Sequence, residues 1–300
     1  MKVAITGAHG FVGRYLVDAL PDAEIIAIDR ALAPLAFPGV ARTYVTDLVA
    51  IDELAEIFRR EQPDQLIHLA SFSSVGYSWQ EPIASFTNNT NIFLNVLECV
   101  RRYSPNTRVL SIGSSDQYGI VEDLPLRETS PLRPLSPYAV ARVAQEHLGN
   151  VYVRGFGIDL VATRSFNHLG VGQSAQFVVS ALAKQFAERV PKIRVGTTSV
   201  IRDFLDVRDV VAAYLALLAR GERGEVYNIC SGRGVSIADV IQMLGDIAGY
   251  RPEIETDPAL VRPVENTVVI GDHGKLTQAV GWRPAIALED ALRSVYEAWR

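Results

Sequence analysis

Three hundred residues, 48% apolar and 21% charged, suffice for one large α/β unit or two domains that fold without disulfide staples. With 34 acidic against 29 basic residues the net charge is −5, and no run of Lys or Arg marks a nucleic-acid surface, so nucleic acid is excluded as the expected partner. The longest apolar run, residues 210–219, is too short for a membrane span; Cys99 and Cys230 lie in apolar stretches as buried thiols of a reducing compartment, and no export signal precedes the first strand, so the expected location is the cytoplasm.

In chain order, residues 3–5 read as a strand and 11–20 as a helix whose apolar residues Phe11, Val12, Tyr15, Leu16, Ala19 and Leu20 recur at helical spacing before Pro21. Residues 24–29 read as a second strand, with a third ahead of Asp47, then 51–60 as a helix and 65–70 as a strand. A long helix near 83–103, a strand at 108–112, a helix after Pro137 and a strand at 159–163 continue the alternation, which calls for a sheet of about six or seven parallel strands. Beyond 163 the rhythm loosens: a helix around 177–190, a short strand near Ile193, a helix at 207–220, a strand at 225–229, a Ser231-Gly232-Arg233-Gly234 turn, and helices at 236–248 and 287–299. The fold class read from this pattern is α/β. A Rossmann-type doubly wound parallel sheet occupies residues 1–163 and receives 200–228, and a smaller C-terminal α/β substrate-binding lobe occupies most of 164–300.

The first strand runs into Thr6-Gly7-Ala8-His9-Gly10-Phe11-Val12-Gly13, three glycines spaced by three with a helix starting inside the motif. Gly7 permits the tight turn, Gly10 lets backbone approach a pyrophosphate, and Gly13 lets helix and sheet pack closely, with the helix N-terminus facing the phosphates. Asp29 ends the second strand 22 positions after Gly7, where a carboxylate accepts from both ribose hydroxyls. It repels a 2′-phosphate, whereas the adjacent Arg30 can pair with one, so the cofactor is NAD(H) or NADP(H) with NAD(H) slightly preferred. Asp47 and Leu48 read equally as an adenine-edge contact or a helix N-cap.

The strand at 108–112 leads into Gly113-Ser114-Ser115-Asp116-Gln117-Tyr118-Gly119, and Pro137-Tyr138-Ala139-Val140-Ala141-Arg142 opens a helix. Tyr138 and Arg142 stand four apart and project from one helical face. A phenol works as an acid or base near neutrality when a fixed cation stabilises its phenolate, and Ser114 would hydrogen-bond the substrate oxygen. Singly, Tyr138 reads as a buried aromatic and Arg142 as a solvated surface residue; together they read as a catalytic pair. His9, His68 and His168 have no partner at metal-ligand spacing, and no metal is expected.

These segments, with Leu66-Ile67-His68-Leu69-Ala70, Asn89 after Pro82, the run from Arg164 to Gln173, the run from Arg202 to Asp209, and Tyr227-Asn228-Ile229-Cys230-Ser231-Gly232, make the whole chain resemble the nucleotide-sugar-modifying branch of the extended short-chain dehydrogenase/reductases. Within it the pattern looks most like the GDP-6-deoxy-D-mannose reductases, with GDP-mannose 4,6-dehydratases next. The resemblance implies dinucleotide contacts from Gly7, His9, Gly10, Phe11, Val12, Gly13, Asp29, Arg30, Asp47, Leu48, Leu69, Ala70, Tyr138 and Arg142. It implies hydride delivery to C4 of a GDP-4-keto-6-deoxyhexose with Tyr138 as acid and Ser114 polarising the carbonyl, GDP-D-rhamnose being the product. Ser115, Asp116, Asn167, Arg202 and Arg262 then join Ser114 around the sugar nucleotide, although ion pairs with Asp203, Asp206 or Glu265 are alternatives for the two arginines. Asp116 also fits a supporting hydrogen bond, or the acid of a dehydratase. The chain departs from the family at Arg142, where lysine is usual, at Ile92-Phe93 in place of Gly-Thr, and at Val171 in place of proline. A dehydratase or epimerase is the neighbouring enzyme reading, and a non-catalytic dinucleotide-binding regulatory protein is the alternative of another class. The resemblance further implies a homodimer paired through the 83–103 helix and the helix carrying Tyr138.

Overall fold

The structure, a computed structural model, describes residues 1–30, 38–261, 264 and 266–300. Its first half runs β1 (Lys2–Thr6), α1 (Phe11–Asp18), β2 (Glu24–Asp29), β3 (Val40–Val45), α2 (Ile51–Glu61), β4 (Gln65–His68), α3 (Val75–Gln80), α4 (Pro82–Tyr103), β5 (Arg108–Ser114), α5 (Pro137–Phe156) and β6 (Leu160–Ser165). The second half adds β7 (Asn167–Leu169), α6 (Val178–Ala187), β8 (Lys192–Val195), β9 (Ile201–Asp206), α7 (Val207–Arg220), β10 (Val226–Ile229), β11 (Gly234–Ser236), α8 (Ile237–Ala248), β12 (Glu253–Thr256), α9 (Gly274–Val280) and α10 (Leu288–Trp299).

Seven parallel strands form the main sheet in the order β10-β6-β5-β4-β1-β2-β3. Its central strands read as continuous apolar runs because both faces are covered. Leu16 and Val17 of α1 and Val210, Tyr214 and Leu217 of α7 pack on one face. Leu54 and Phe58 of α2, Phe93 and Val96 of α4 and Tyr152 of α5 pack on the other, which makes the sheet doubly wound. Chain direction across the sheet reverses between β1 and β4, so a crevice opens at the carboxyl ends of these strands. No helix among the described residues is long and apolar enough to cross a membrane.

The smaller sheets, β11-β9-β7 and β12-β8, pack with α6, α8 and α10 around Leu182, Phe186, Val240, Leu244, Leu292 and Val295. Several elements here, β7, β9 and β11 among them, are not apparent in the hydropathy pattern. In β9 the alternation is broken by Asp203, which is fully buried yet accepts from the Ser231, Gly232 and Gly271 N–H groups at 2.7, 2.9 and 3.2 Å.

Candidate active site

One cleft of about 1400 Å³ runs along the carboxyl edge of the main sheet into the smaller lobe. That exceeds the roughly 300–1000 Å³ of a pocket for one drug-sized ligand and suits two nucleotides side by side. At its sheet end, Gly7 adopts φ 72°, and a Cβ there would lie 2.9 Å from the Ala70 nitrogen, so only glycine lets this turn meet the end of β4. A Cβ on Gly13 would lie 2.1 Å from the Ala8 carbonyl oxygen, so the first turn of α1 sits directly on the loop. Gly10 caps α1 without a side chain and the first turn holds no acidic residue, leaving its N–H groups to a ligand anion. His9, Phe11 and Val12 line the cleft beside the glycines.

Asp29 Oδ2 accepts from the His9 N–H at 3.0 Å, tying β2 to the glycine loop, and the Arg30 guanidinium lies 4.8 Å from the Phe72 ring centroid. Asn89 accepts from the Phe72 N–H at 2.8 Å and donates to its carbonyl at 3.1 Å, holding the loop that follows Leu69 and Ala70. Asp47 Oδ1 accepts from the Val49 N–H at 3.0 Å, which orders the turn into α2, while Asp47 and Leu48 also line the cleft. A glycine-lined cradle, a helix start without a side-chain cap and a carboxylate at the end of β2 fit a nicotinamide dinucleotide.

At the centre, β5 delivers Ser114 and α5 delivers Tyr138. Ser136 starts α5 by accepting from the Ala139 N–H at 3.1 Å, Pro137 occupies the first turn, and Gly157 ends the helix in the left-handed region. Ser114, Ser115, Asp116, Tyr138 and Arg142 all line the cleft. The Tyr138 hydroxyl has no hydrogen-bond partner among the described residues, and Arg142 stacks against its ring with 5.1 Å between guanidinium carbon and centroid. Arg142 is buried, not solvated, and donates to the Ile112 carbonyl at 3.0 Å, Gln145 Oε1 at 2.6 Å and Ser71 Oγ at 2.7 Å. All three acceptors are neutral, so the positive charge is not cancelled. His68 is pushed down to about 3, by burial first and by the Arg142 charge second, and stays neutral. Ser114 Oγ accepts from the Asp116 N–H at 3.2 Å and lies 3.4 Å from Asp116 Oδ2, so Asp116 supports the serine while facing the cleft.

Behind these residues runs a buried network that sequence reasoning missed. The Ser114 N–H donates to Gln117 Oε1 at 3.1 Å, Gln117 Nε2 donates to Glu146 at 2.8 Å, and Glu146 pairs with Arg164 at 2.7 Å. Arg164 also donates to the Tyr118 hydroxyl at 2.9 Å, and that hydroxyl donates to Asn228 Oδ1 at 2.6 Å. The network joins the serine loop to the helix of Tyr138. Burial, more than the neighbouring Arg164 relieves, raises Tyr118 to about 12, so it remains a phenol. Ile92 and Phe93 sit at the departure noted in α4: Ile92 lines the cleft, and Phe93 is buried with its ring 5.1 Å from that of His68.

In the smaller lobe, Asn167 at the start of β7 is exposed into the cleft, and Arg202 on β9 lines it as well. Asp206 caps α7 and pairs with Arg208 at 2.8 Å, and Asp203 serves backbone amides as described above. Arg262 lies outside the described residues. The His168 ring stacks on Phe11 with 6.1 Å between centroids, and the Tyr15 hydroxyl donates to the Val171 carbonyl at 2.9 Å, so α1 braces the segment that leads from β7.

A parallel doubly wound sheet, a glycine cradle and a serine–tyrosine–cation group opening on one cleft define a dinucleotide-dependent enzyme of the short-chain dehydrogenase/reductase class. The chain belongs to the extended family of that class, and the family model described as GDP-mannose 4,6 dehydratase matches residues 4–295. It is 36% identical to a GDP-6-deoxy-D-mannose reductase of Pseudomonas aeruginosa over 99% of this chain and 97% of that protein. A Pseudomonas aeruginosa structure described as RMD complexed with NADPH superposes with a TM-score of 0.87 at 34% identity, covering 99% and 98% of the two chains. A Thermotoga maritima UDP-glucose 4-epimerase with UDP-glucose gives a TM-score of 0.92 at 26% identity, covering 100% and 98%.

Proposed function

We propose that the protein reduces the C4 keto group of a GDP-4-keto-6-deoxyhexose, converting GDP-4-keto-6-deoxy-D-mannose to GDP-D-rhamnose in the cytoplasm. The observation that carries this reading is the Tyr138 hydroxyl, unpartnered among the described residues, on a cleft that Ser114 also lines, with an uncancelled guanidinium stacked on the phenol. The 36% identity to a GDP-6-deoxy-D-mannose reductase supports the choice of sugar nucleotide. In this division residues 1–163 together with 200–228 form the unit that carries the dinucleotide, with Ser114, Ser115, Asp116 and Arg202 reaching the sugar nucleotide from it, and the remainder of 164–300 forms the lobe that carries the sugar nucleotide.

The residues that would hold the dinucleotide are the glycine loop from Gly7 to Gly13 at the pyrophosphate, Asp29 and Arg30 at the adenosine ribose, Asp47 and Leu48 at the adenine, and Leu69, Ala70, Tyr138 and Arg142 toward the nicotinamide. When bound, the reduced nicotinamide supplies the hydride. Ser114 donates a hydrogen bond to the C4 oxygen and polarises the carbonyl, and Tyr138 gives its proton to that oxygen as alkoxide charge develops. Arg142 stabilises the phenolate left behind, which then recovers its proton from water. Ser115, Asp116, Asn167 and Arg202 surround the sugar nucleotide, with Arg202 suited to diphosphate and ribose by charge and planar donors, and Arg262, outside the described residues, is a further candidate on the same chemical ground.

The test mixes purified protein with GDP-4-keto-6-deoxy-D-mannose and NADH or NADPH, follows nicotinamide oxidation and identifies the sugar. Stoichiometric oxidation with GDP-D-rhamnose formed is the expected result, Tyr138→Phe lowering the rate at least about 100-fold. Absence of turnover with both cofactors overturns the reading. Asp116 beside Ser114 favours one rival, a dehydratase or epimerase, and GDP-mannose turnover without net nicotinamide consumption would establish it.

A further inference from the structure

A guanidinium makes demands that an ammonium does not. Both protons of Arg142 Nη1 are consumed, one by the Ile112 carbonyl and one by Gln145 Oε1, and the opposite nitrogen, Nη2, reaches Ser71 Oγ in the loop after β4. Gln145 lies one turn further along α5, is 1% exposed, and has its own orientation set. Its amide nitrogen donates to Ser111 Oγ at 2.9 Å and to the Ile112 carbonyl at 3.1 Å, so the carbonyl oxygen can face only the guanidinium. The Arg142 Nε–H is buried without a partner among the described residues, so the guanidinium is held at its two terminal nitrogens, and loss of Gln145 Oε1 leaves the Nη1 end to the Ile112 carbonyl alone.

We propose that Gln145 is a positioning residue: its carbonyl oxygen seats the Arg142 guanidinium beside the Tyr138 ring, where the second Nη2 proton remains for a ribose hydroxyl of the dinucleotide. An arginine at this site works because a buried amide three residues away supplies the acceptor that its fork requires. The kinetic consequence rests on the reductase reading above, whereas the binding consequence does not.

The test uses the full-length protein and measures NADH and NADPH dissociation constants by fluorescence without sugar nucleotide, and kcat with GDP-4-keto-6-deoxy-D-mannose. Gln145→Met, which removes the acceptor, should weaken dinucleotide binding about three- to tenfold and lower kcat about tenfold. Gln145→Glu, which keeps an acceptor but places a negative charge on the guanidinium, should leave binding within about twofold while kcat falls about tenfold, a split that lost packing does not produce. In an Arg142→Lys background Gln145→Met should change binding and kcat by less than about twofold, because the group it serves is gone. Equal losses in the Arg142 and Lys backgrounds, or binding and kcat unaltered by Gln145→Met, overturn the proposal. If Gln145→Met melts early by circular dichroism, the split shown or not shown by Gln145→Glu decides it. If no sugar nucleotide turns over, the reductase reading fails alone and the binding cycle still decides the role of Gln145.

Discussion

Asp29 meets two demands with one carboxylate: it accepts from the His9 N–H, which holds the glycine loop, and it places negative charge where an adenosine ribose would lie. Replacing it with asparagine keeps an acceptor for His9 and removes the charge that repels a 2′-phosphate. Asp29→Asn should therefore raise the NADPH to NADH ratio of kcat/KM about tenfold, and Arg30→Ala, which removes the cation stacked on Phe72, should lower it. Steady-state kinetics with both dinucleotides check this. If Asp29→Asn leaves the ratio unmoved, the carboxylate sets loop geometry alone. Residues of this kind were legible because their chemistry is local: three glycines within one turn, an acid at a strand end, a phenol and a cation four apart. Gln145 was not, although only three residues separate it from Arg142. Sequence spacing cannot say that both side chains are buried against β5, nor that Ser71 and Ser111 close the set from two other segments. Asp203 was hidden for the same reason, since the N–H groups that justify a buried carboxylate come from residues 231, 232 and 271.

Helices α4 and α5 were legible as elements, yet the ties between them arise only in three dimensions. Glu98 on α4 accepts from the Tyr152 hydroxyl on α5 at 2.6 Å and pairs with Arg101 and Arg102 at 2.8 and 2.7 Å. The Arg101 hydrogen bonds above all, then the Tyr152 hydroxyl and the arginine charges, outweigh desolvation and hold the Glu98 carboxyl down to about 2 from 4.5. A carboxyl lowered in the folded state binds fewer protons there than in the unfolded chain. Its contribution is complete above the unfolded value of 4.5 and is lost as the pH falls through about 2. Glu98→Gln should therefore flatten the acid side of the stability curve, with most of the difference from the parent seen above about pH 4.5 and little near pH 2. Urea midpoints measured across that range check it, and parallel curves for the two proteins would show that Glu98 carries no such linkage. The smaller lobe was less legible than this helical layer because its strands are short: β7 and β11 span three residues each, too few for a period to show.

Across the whole molecule, apolar side chains on the outer faces of α4 and α5 remain uncovered. Ile83 is 82% exposed and Val151 58%, with Phe86 and Val140 also exposed along the same two helices, which pack against each other. The sequence alone leaves these residues indistinguishable from core positions such as Val96, because both belong to apolar runs; the structure separates them. Exposed large apolar residues on two helices that pack together offer an interaction surface, and a patch that serves as both donor and receptor closes by two-fold symmetry. A homodimer in which α4 and α5 of one protomer meet the same helices of its partner would cover them in a four-helix contact. Ile83→Arg combined with Val151→Arg places charge on that face without touching the cleft, so light scattering should show the mass of one chain where the parent shows about twice as much. Val140 lies two residues from Tyr138 on α5, so such a contact would also steady the turn that presents the phenol. The double variant should consequently turn over more slowly at low protein concentration as well as sediment as a monomer. A parent protein that is itself monomeric at micromolar concentration, or a double variant that stays dimeric, would place the interface elsewhere.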